Sequence, residues 1–293
     1  MGEQHQSVAA ADDDASPSSY EYIFGFGSIM NTSTHATWKT TSSTTTTDMQ
    51  SLSSGSLPGV IATISKEFGY KRQWSFRSST GFTALGVEQV IVATNENGGG
   101  KCCEINGVIF QVPTCDIPDF DRREVGYTKI RIPLEYITIQ NDDASKASGN
   151  TREATAATTA AASNQQQSYR QQANFTFTSN DNIWLYVPLP GHIHYADENH
   201  PLLQSYVDTV LQGCLEWGGP TMAEQFIVTT GGWSEYFLND TPSSRRPWLY
   251  RKEYNTIDEL LKRYEEKTYY GERRHPEEFA SAFSQRFRGT WYM

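Results

Sequence analysis

From Tyr20 onward, short runs of apolar or alternating residues are separated by Gly, Pro and Asn, the period-two pattern of strands and tight turns. The pattern predicts strands at Tyr22–Phe26, Val60–Ser65, Tyr70–Phe76, Ala84–Ala93, Glu104–Val112, Lys129–Ile139 and Ile183–Val187. Helical spacing appears later. Leu202, Leu203, Tyr206, Val207, Val210, Leu211, Cys214 and Leu215 share one face of a helix predicted over Pro201–Trp217, stopped by Gly218-Gly219. A second helix is predicted from Thr256 through Tyr264, where Thr256-Ile-Asp-Glu259 fits a capping box, and a third after Pro276. Many strands with few helices among them predict an α+β fold with a mixed, barrel-like sheet and not a doubly wound one.

Composition limits how much of the chain joins that core. Of 293 residues, three stretches are too polar to offset the entropy of ordering: 1–19, the Ser/Thr-rich 31–57, and 141–174 with its Ala, Thr, Ser and Gln. They are expected to be disordered or loop insertions. What remains suits one substantial core over about 20–240, followed by a helical extension over 241–293.

Charge narrows the partners. A formal charge of −10 supplies no basic footprint for nucleic acid or an anionic membrane surface. No run approaches the roughly 18–20 apolar residues of a membrane helix, and the N-terminus lacks a signal peptide's apolar core, so a cytoplasmic protein is expected. Met1-Gly2 is a poor myristoylation signal because Gln6 stands where Ser or Thr is needed. The sequons at Asn31, Asn174 and Asn239 matter only in a secreted chain. Cys102, Cys103, Cys115 and Cys214 have neither zinc spacing nor disulfide-scaffold density, and are expected as reduced thiols.

Two segments carry candidate chemistry. In Tyr22-Ile-Phe-Gly-Phe-Gly-Ser-Ile-Met30 an apolar strand runs into a glycine-serine turn whose backbone N–H groups can gather around an anion. It is no dinucleotide fingerprint, since Met30 replaces the third glycine, and it has neither a Walker lysine nor a Gly-x-Ser-x-Gly elbow. By itself it reads as a tight turn. Phe120-Asp-Arg-Arg-Glu-Val-Gly-Tyr127 places a carboxylate between two predicted strands, although a charge cluster alone is usually a solvated face. Gly191-His-Ile-His194 with His200 offers ligands for a divalent ion, but Pro188-Leu-Pro-Gly191 before it reads as a loop. Trp233 and Tyr236 read as core or rim residues.

Tyr22–Met30 resembles the substrate loop of the γ-glutamylcyclotransferase-like superfamily, and Phe120–Tyr127 resembles its acid-bearing segment. Between them Ala62–Trp74 and Asn106–Val112 resemble two of its strands, in the same order. The resemblance covers roughly 20–140 well and 183–235 loosely. It implies cyclisation of a γ-glutamyl group to 5-oxoproline with release of an amine, an amide-cleaving lyase-type or acyltransferase-like reaction. It implies Glu124 as the catalytic acid–base and Phe26, Gly27, Ser28, Ile29, Met30 and Tyr127 as substrate-binding residues. No metal or organic cofactor is implied. Arg122 and Arg123 are expected to face outward, since an inward guanidinium would lower the pKa of Glu124.

Two departures stand out: Phe26 occupies a common tyrosine position, and the insertion after Met30 exceeds the family minimum. The implied partner is a small γ-glutamyl compound, with glutathione, a γ-glutamyl amino acid and a γ-glutamyl amine all open as substrates and the oligomeric state open as well. A non-catalytic ligand- or protein-binding module on the same fold is the alternative, and a metal enzyme built on His192, His194 and His200 is the third reading.

Overall fold

The computed structural model describes residues 20–38, 57–90, 103–140, 172–240 and 253–274. Its main sheet has six strands in the order β6-β8-β1-β5-β2-β7. These are β1 (Tyr20–Gly25), β2 (Gly59–Ile64), β5 (Ile105–Pro113), β6 (Tyr127–Arg131), β7 (Ile137–Ile139) and β8 (Ile183–Pro188). The pair β1 and β8 is parallel and the other pairs are antiparallel, so the sheet is mixed. Strands β3 (Tyr70–Arg77) and β4 (Thr83–Gln89) form a separate hairpin whose Gly86 lies against Pro188 of β8.

The sheet curls without closing. Ile132 still donates to the Ile183 carbonyl at one edge, and the Tyr136 carbonyl still accepts from Ser65 at the other. Four residue steps span at most about 14 Å, whereas six flat strands would set their edges about 24 Å apart. The edge strands β6 and β7 are therefore brought near one another, bridged by residues 133–135 and not paired. The strand expected over Lys129–Ile139 is in fact these two. Pro133 has no N–H to donate, so the chain leaves one edge there and joins the other.

The short helix α1 (Ile117–Arg123), unforeseen in the sequence, carries the acidic segment and has Pro118 in its first turn. Helix α2 (Gln204–Thr229) outruns its expected end at Trp217. Its helical geometry is interrupted at Gly218 and Gly219, as expected, but Pro220 opens a second half that continues the element. At the start, Leu202–Leu203 is a two-residue strand, β9, paired in parallel with β10 (Phe237–Leu238). Helix α3 (Tyr254–Arg263) begins before Thr256, so the expected capping box lies inside the helix. After it comes the short α4 (Glu265–Thr268). Any helix after Pro276 falls outside the described residues.

One core unites sheet and helices. Phe24, Val108, Phe110, Leu185, Val210, Leu211, Phe226 and, from α3, Ile257 and Leu261 all belong to it. The stretch expected as an insertion is anchored at its start, where Asn31 and His35 are buried. The anchor is α2: Trp217 Nε1 donates to the Met30 carbonyl at 3.0 Å, and Asn31 Nδ2 donates to the Thr209 carbonyl at 3.1 Å. Helix and loop meet at Gly213, where an added Cβ would stand 2.6 Å from the Asn31 nitrogen and 2.7 Å from the Met30 carbonyl carbon. Backbone cannot yield as a flexible side chain can. Gly213→Ala is therefore expected to lose about 1–3 kcal/mol by overpacking, measured by urea denaturation; an unchanged midpoint would show that helix and loop part freely.

Candidate active site

Strand β1 carries the chain into the core and ends at Gly25, after which residues 28–30 make one 3-10 turn. The turn bonds Met30 N–H to the Gly27 carbonyl and Asn31 N–H to the Ser28 carbonyl, both at 3.0 Å. Among the described residues the N–H groups of Gly27, Ser28 and Ile29 donate to no protein acceptor, as at the start of any helical turn. They border a cavity of about 60 Å³, enough for several water-sized groups. Phe26, Gly27, Ser28, Ile29, Glu124 and Tyr127 all line it. Met30, implied as a substrate residue, does not: its side chain is fully buried in the core and its carbonyl is taken by Trp217.

Glu124 caps the C-terminal end of α1, and its side chain remains only 25% exposed. Burial raises its pKa, and the neighbouring Arg123 opposes that rise only in part. The end of a helix is also the negative end of its dipole, a further reason for the proton to stay. No hydrogen bond to its carboxylate forms among the described residues; its one ionic neighbour there is Arg123, with Nε at 3.8 Å. A carboxyl group held this way is suited to taking up a proton and giving it back.

The arginines behave differently from one another. Arg122 pairs with Asp119 on the surface, as expected. Arg123 keeps 35% of its side chain exposed but also lines the cavity beside Glu124, so the expectation that both face out holds fully only for Arg122. Burial lowers its pKa while Glu124 sustains the charge. The reason lies in helical geometry: Asp119 is three residues from Arg122 and draws it outward, whereas Arg123 ends the helix beside Glu124.

Three tyrosines complete the wall. Tyr127 donates its hydroxyl to the Leu85 carbonyl at 2.7 Å, and burial raises its pKa well above that of an ordinary phenol. Tyr186 donates to Asp121 Oδ1 at 2.9 Å, and Lys129 holds the other oxygen of that carboxylate at 2.8 Å. Tyr206, read from sequence as one more residue of the α2 apolar stripe, places its hydroxyl 3.7 Å from where a Cβ on Gly27 would stand. Burial pushes its pKa up to about 12, with hydrogen bonding to Ser28 and the Leu85 backbone opposing. Its position on a stripe whose other members are core residues hid it; a phenol among aliphatic neighbours was the available signal.

His192, His194 and His200 lie elsewhere, along a groove with Arg77 and residues 78–81. Among the described residues no three His, Cys, Asp or Glu side chains are arranged to hold a metal ion, so the third reading has no ligand set there. Trp233 is buried in the core. Among the described residues no helix is long and apolar enough to cross a membrane.

No family model and no curated protein matches this sequence. Solved structures do resemble the fold. A gamma-glutamyl cyclotransferase is 12% identical over 71% of this chain and 86% of its own, with a TM-score of 0.39. An uncharacterized protein from Homo sapiens matches at 12% over 71% and 86%, with a TM-score of 0.38. A glutathione-specific gamma-glutamyl cyclotransferase from yeast matches at 10% over 72% and 87%, with a TM-score of 0.31.

Proposed function

We propose that the chain is a γ-glutamylcyclotransferase-type enzyme, converting a γ-glutamyl amide to 5-oxoproline and a free amine. The observation that carries this reading is the half-buried Glu124 carboxyl, its pKa raised, in one cavity with the unpaired N–H groups of Gly27, Ser28 and Ile29. In the reaction the substrate α-amine attacks its own γ-carbonyl carbon and a five-membered ring closes. Glu124 accepts the proton lost by the amine. As the tetrahedral centre collapses, the bond to the leaving nitrogen breaks and Glu124 returns the proton to it. One carboxyl group thus serves as base and then as acid, and its pKa must lie near the working pH for both.

The three N–H groups of the turn would hold the glutamyl α-carboxylate, fixing the amine for attack. The Tyr206 hydroxyl, on the cavity wall beside Gly27 and Ser28, would donate to the γ-carbonyl oxygen as it gains charge. Tyr206→Phe is expected to lower kcat up to about tenfold with little change in KM, the effect of one neutral hydrogen bond made in the transition state. A rise in KM alone would move Tyr206 from catalysis to binding.

We place the reaction in the cytoplasm, where the cysteines are expected as reduced thiols. The deciding experiment is 5-oxoproline release from glutathione and a panel of γ-glutamyl dipeptides and amines. Release supports the reading; folded protein that releases none from any member overturns it in favour of the binding module.

A further inference from the structure

The groove beside the cavity differs from the rest of this acidic chain. Its volume is about 610 Å³, and its lining gathers Arg77, His192, His194 and His200 around the hydroxyl-bearing turn at residues 78–81. The protein has six histidines, and its Asp and Glu outnumber Lys and Arg by 34 to 24. Even so, half the histidines meet here, and among the described residues no carboxylate lines the groove. Asp197, its side chain 43% exposed, pairs with Arg77 Nη2 and lies 3.4 Å from His200 Nδ1 at the margin of the groove. Arg77 Nε is buried and has no hydrogen-bond acceptor among the described residues.

The groove abuts the catalytic wall. Phe76 stacks on Tyr127 at 4.1 Å between centroids and on His192 at 5.5 Å. Gly126, two residues beyond Glu124, adopts φ +90, where an added Cβ would lie 3.0 Å from the Phe76 ring and 3.1 Å from His192 Cε1. Its carbonyl accepts the Leu189 N–H at 2.8 Å, tying the acid-bearing loop to the loop of the histidines. One aromatic ring therefore separates cavity from groove.

We propose that this groove binds the C-terminal carboxylate of a peptidyl leaving group, two residues beyond the scissile amide. The inference rests on the γ-glutamyl reading and names the substrate class within it. The Tyr127 and His192 rings lie within about 10 Å of each other, and two extended residues span roughly 7 Å. A hydrogen bond from an imidazole N–H or a turn hydroxyl covers what remains. A leaving amine without a carboxylate would leave the groove empty.

The test compares γ-glutamyl-alanyl-glycine with its C-terminal carboxamide, using wild type, His192→Gln and His194→Glu. Wild type is expected to favour the acid by about tenfold in kcat/KM, the worth of one charge-assisted hydrogen bond, with the difference in KM. His194→Glu, which puts an exposed carboxylate into the groove, should abolish or invert that preference; His192→Gln should reduce it. An acid-to-carboxamide ratio near one in wild type, or one untouched by both variants, would overturn the groove assignment while leaving cyclisation intact. A direct reading comes from NMR titration of the histidine Cε1–H signals with alanylglycine and alanylglycinamide. Shifts from the acid alone, without 5-oxoproline release from any substrate, would uphold the anion site and defeat the catalytic reading.

Discussion

Exchange of Glu124 for glutamine is expected to lower kcat for 5-oxoproline release by about 10²–10⁴, the usual worth of a positioned general acid–base. KM should change little, because glutamine keeps the shape of the side chain and the turn N–H groups remain in place. The same exchange should stabilise the protein at neutral pH. Burial raises the folded-state pKa of Glu124 above its ordinary value of 4.5. Below that value both states are protonated and Glu124 costs nothing. As pH rises toward the folded pKa the unfolded chain ionises first, stability falls, and above the folded pKa the whole penalty is present. Glutamine has no such penalty. Urea denaturation of both proteins from pH 4 to 8 should therefore show coincident midpoints at the acid end and a more stable Glu124→Gln variant at the other. A variant that is inactive and also less stable at neutral pH would mean that the carboxylate is a structural ion-pair member and no proton shuttle.

The candidate acid and the turn that shares its cavity could be picked out in the sequence because each is local: a strand ending in Gly-x-Gly-Ser and a carboxylate a few residues before a tyrosine. What escaped depends on three-dimensional placement. The place of Arg123 at the cavity follows from the length of α1, and a seven-residue helix containing Pro118 leaves little periodic signal. Met30 sits in the motif but ends the 3-10 turn, so its side chain goes to the core while its neighbours face the cavity. Tyr206 was visible only as a stripe member, because helical periodicity tells which face is covered and not by what. The barrel-like curl was foreseen; its open edge was not, although Pro133 marked the break.

Replacement of Arg72 by methionine is expected to destabilise the fold by at least about 3 kcal/mol, roughly 6–12 °C in Tm for a chain of this size. Arg72 is 1% exposed and meets no carboxylate in its hydrogen bonds. It donates to Thr230 Oγ1 at 2.8 Å, to the Asn106 carbonyl and Oδ1 at 2.7 Å each, to the Phe226 carbonyl at 3.3 Å and to Thr229 Oγ1 at 3.0 Å. Its guanidinium also lies 3.8 Å above the Phe226 ring. Burial lowers its pKa to about 9, so it is still charged at neutral pH. The planar fork joins β3, β5 and the second half of α2, and methionine would fill its volume while leaving buried acceptors unmatched. Lysine separates charge from geometry. It restores the cation but reaches fewer acceptors from a single nitrogen, so Arg72→Lys should recover only part of the loss. Full recovery by lysine would show that charge alone matters at this junction, and a methionine variant within about 1 kcal/mol of wild type would show that the acceptors find other donors.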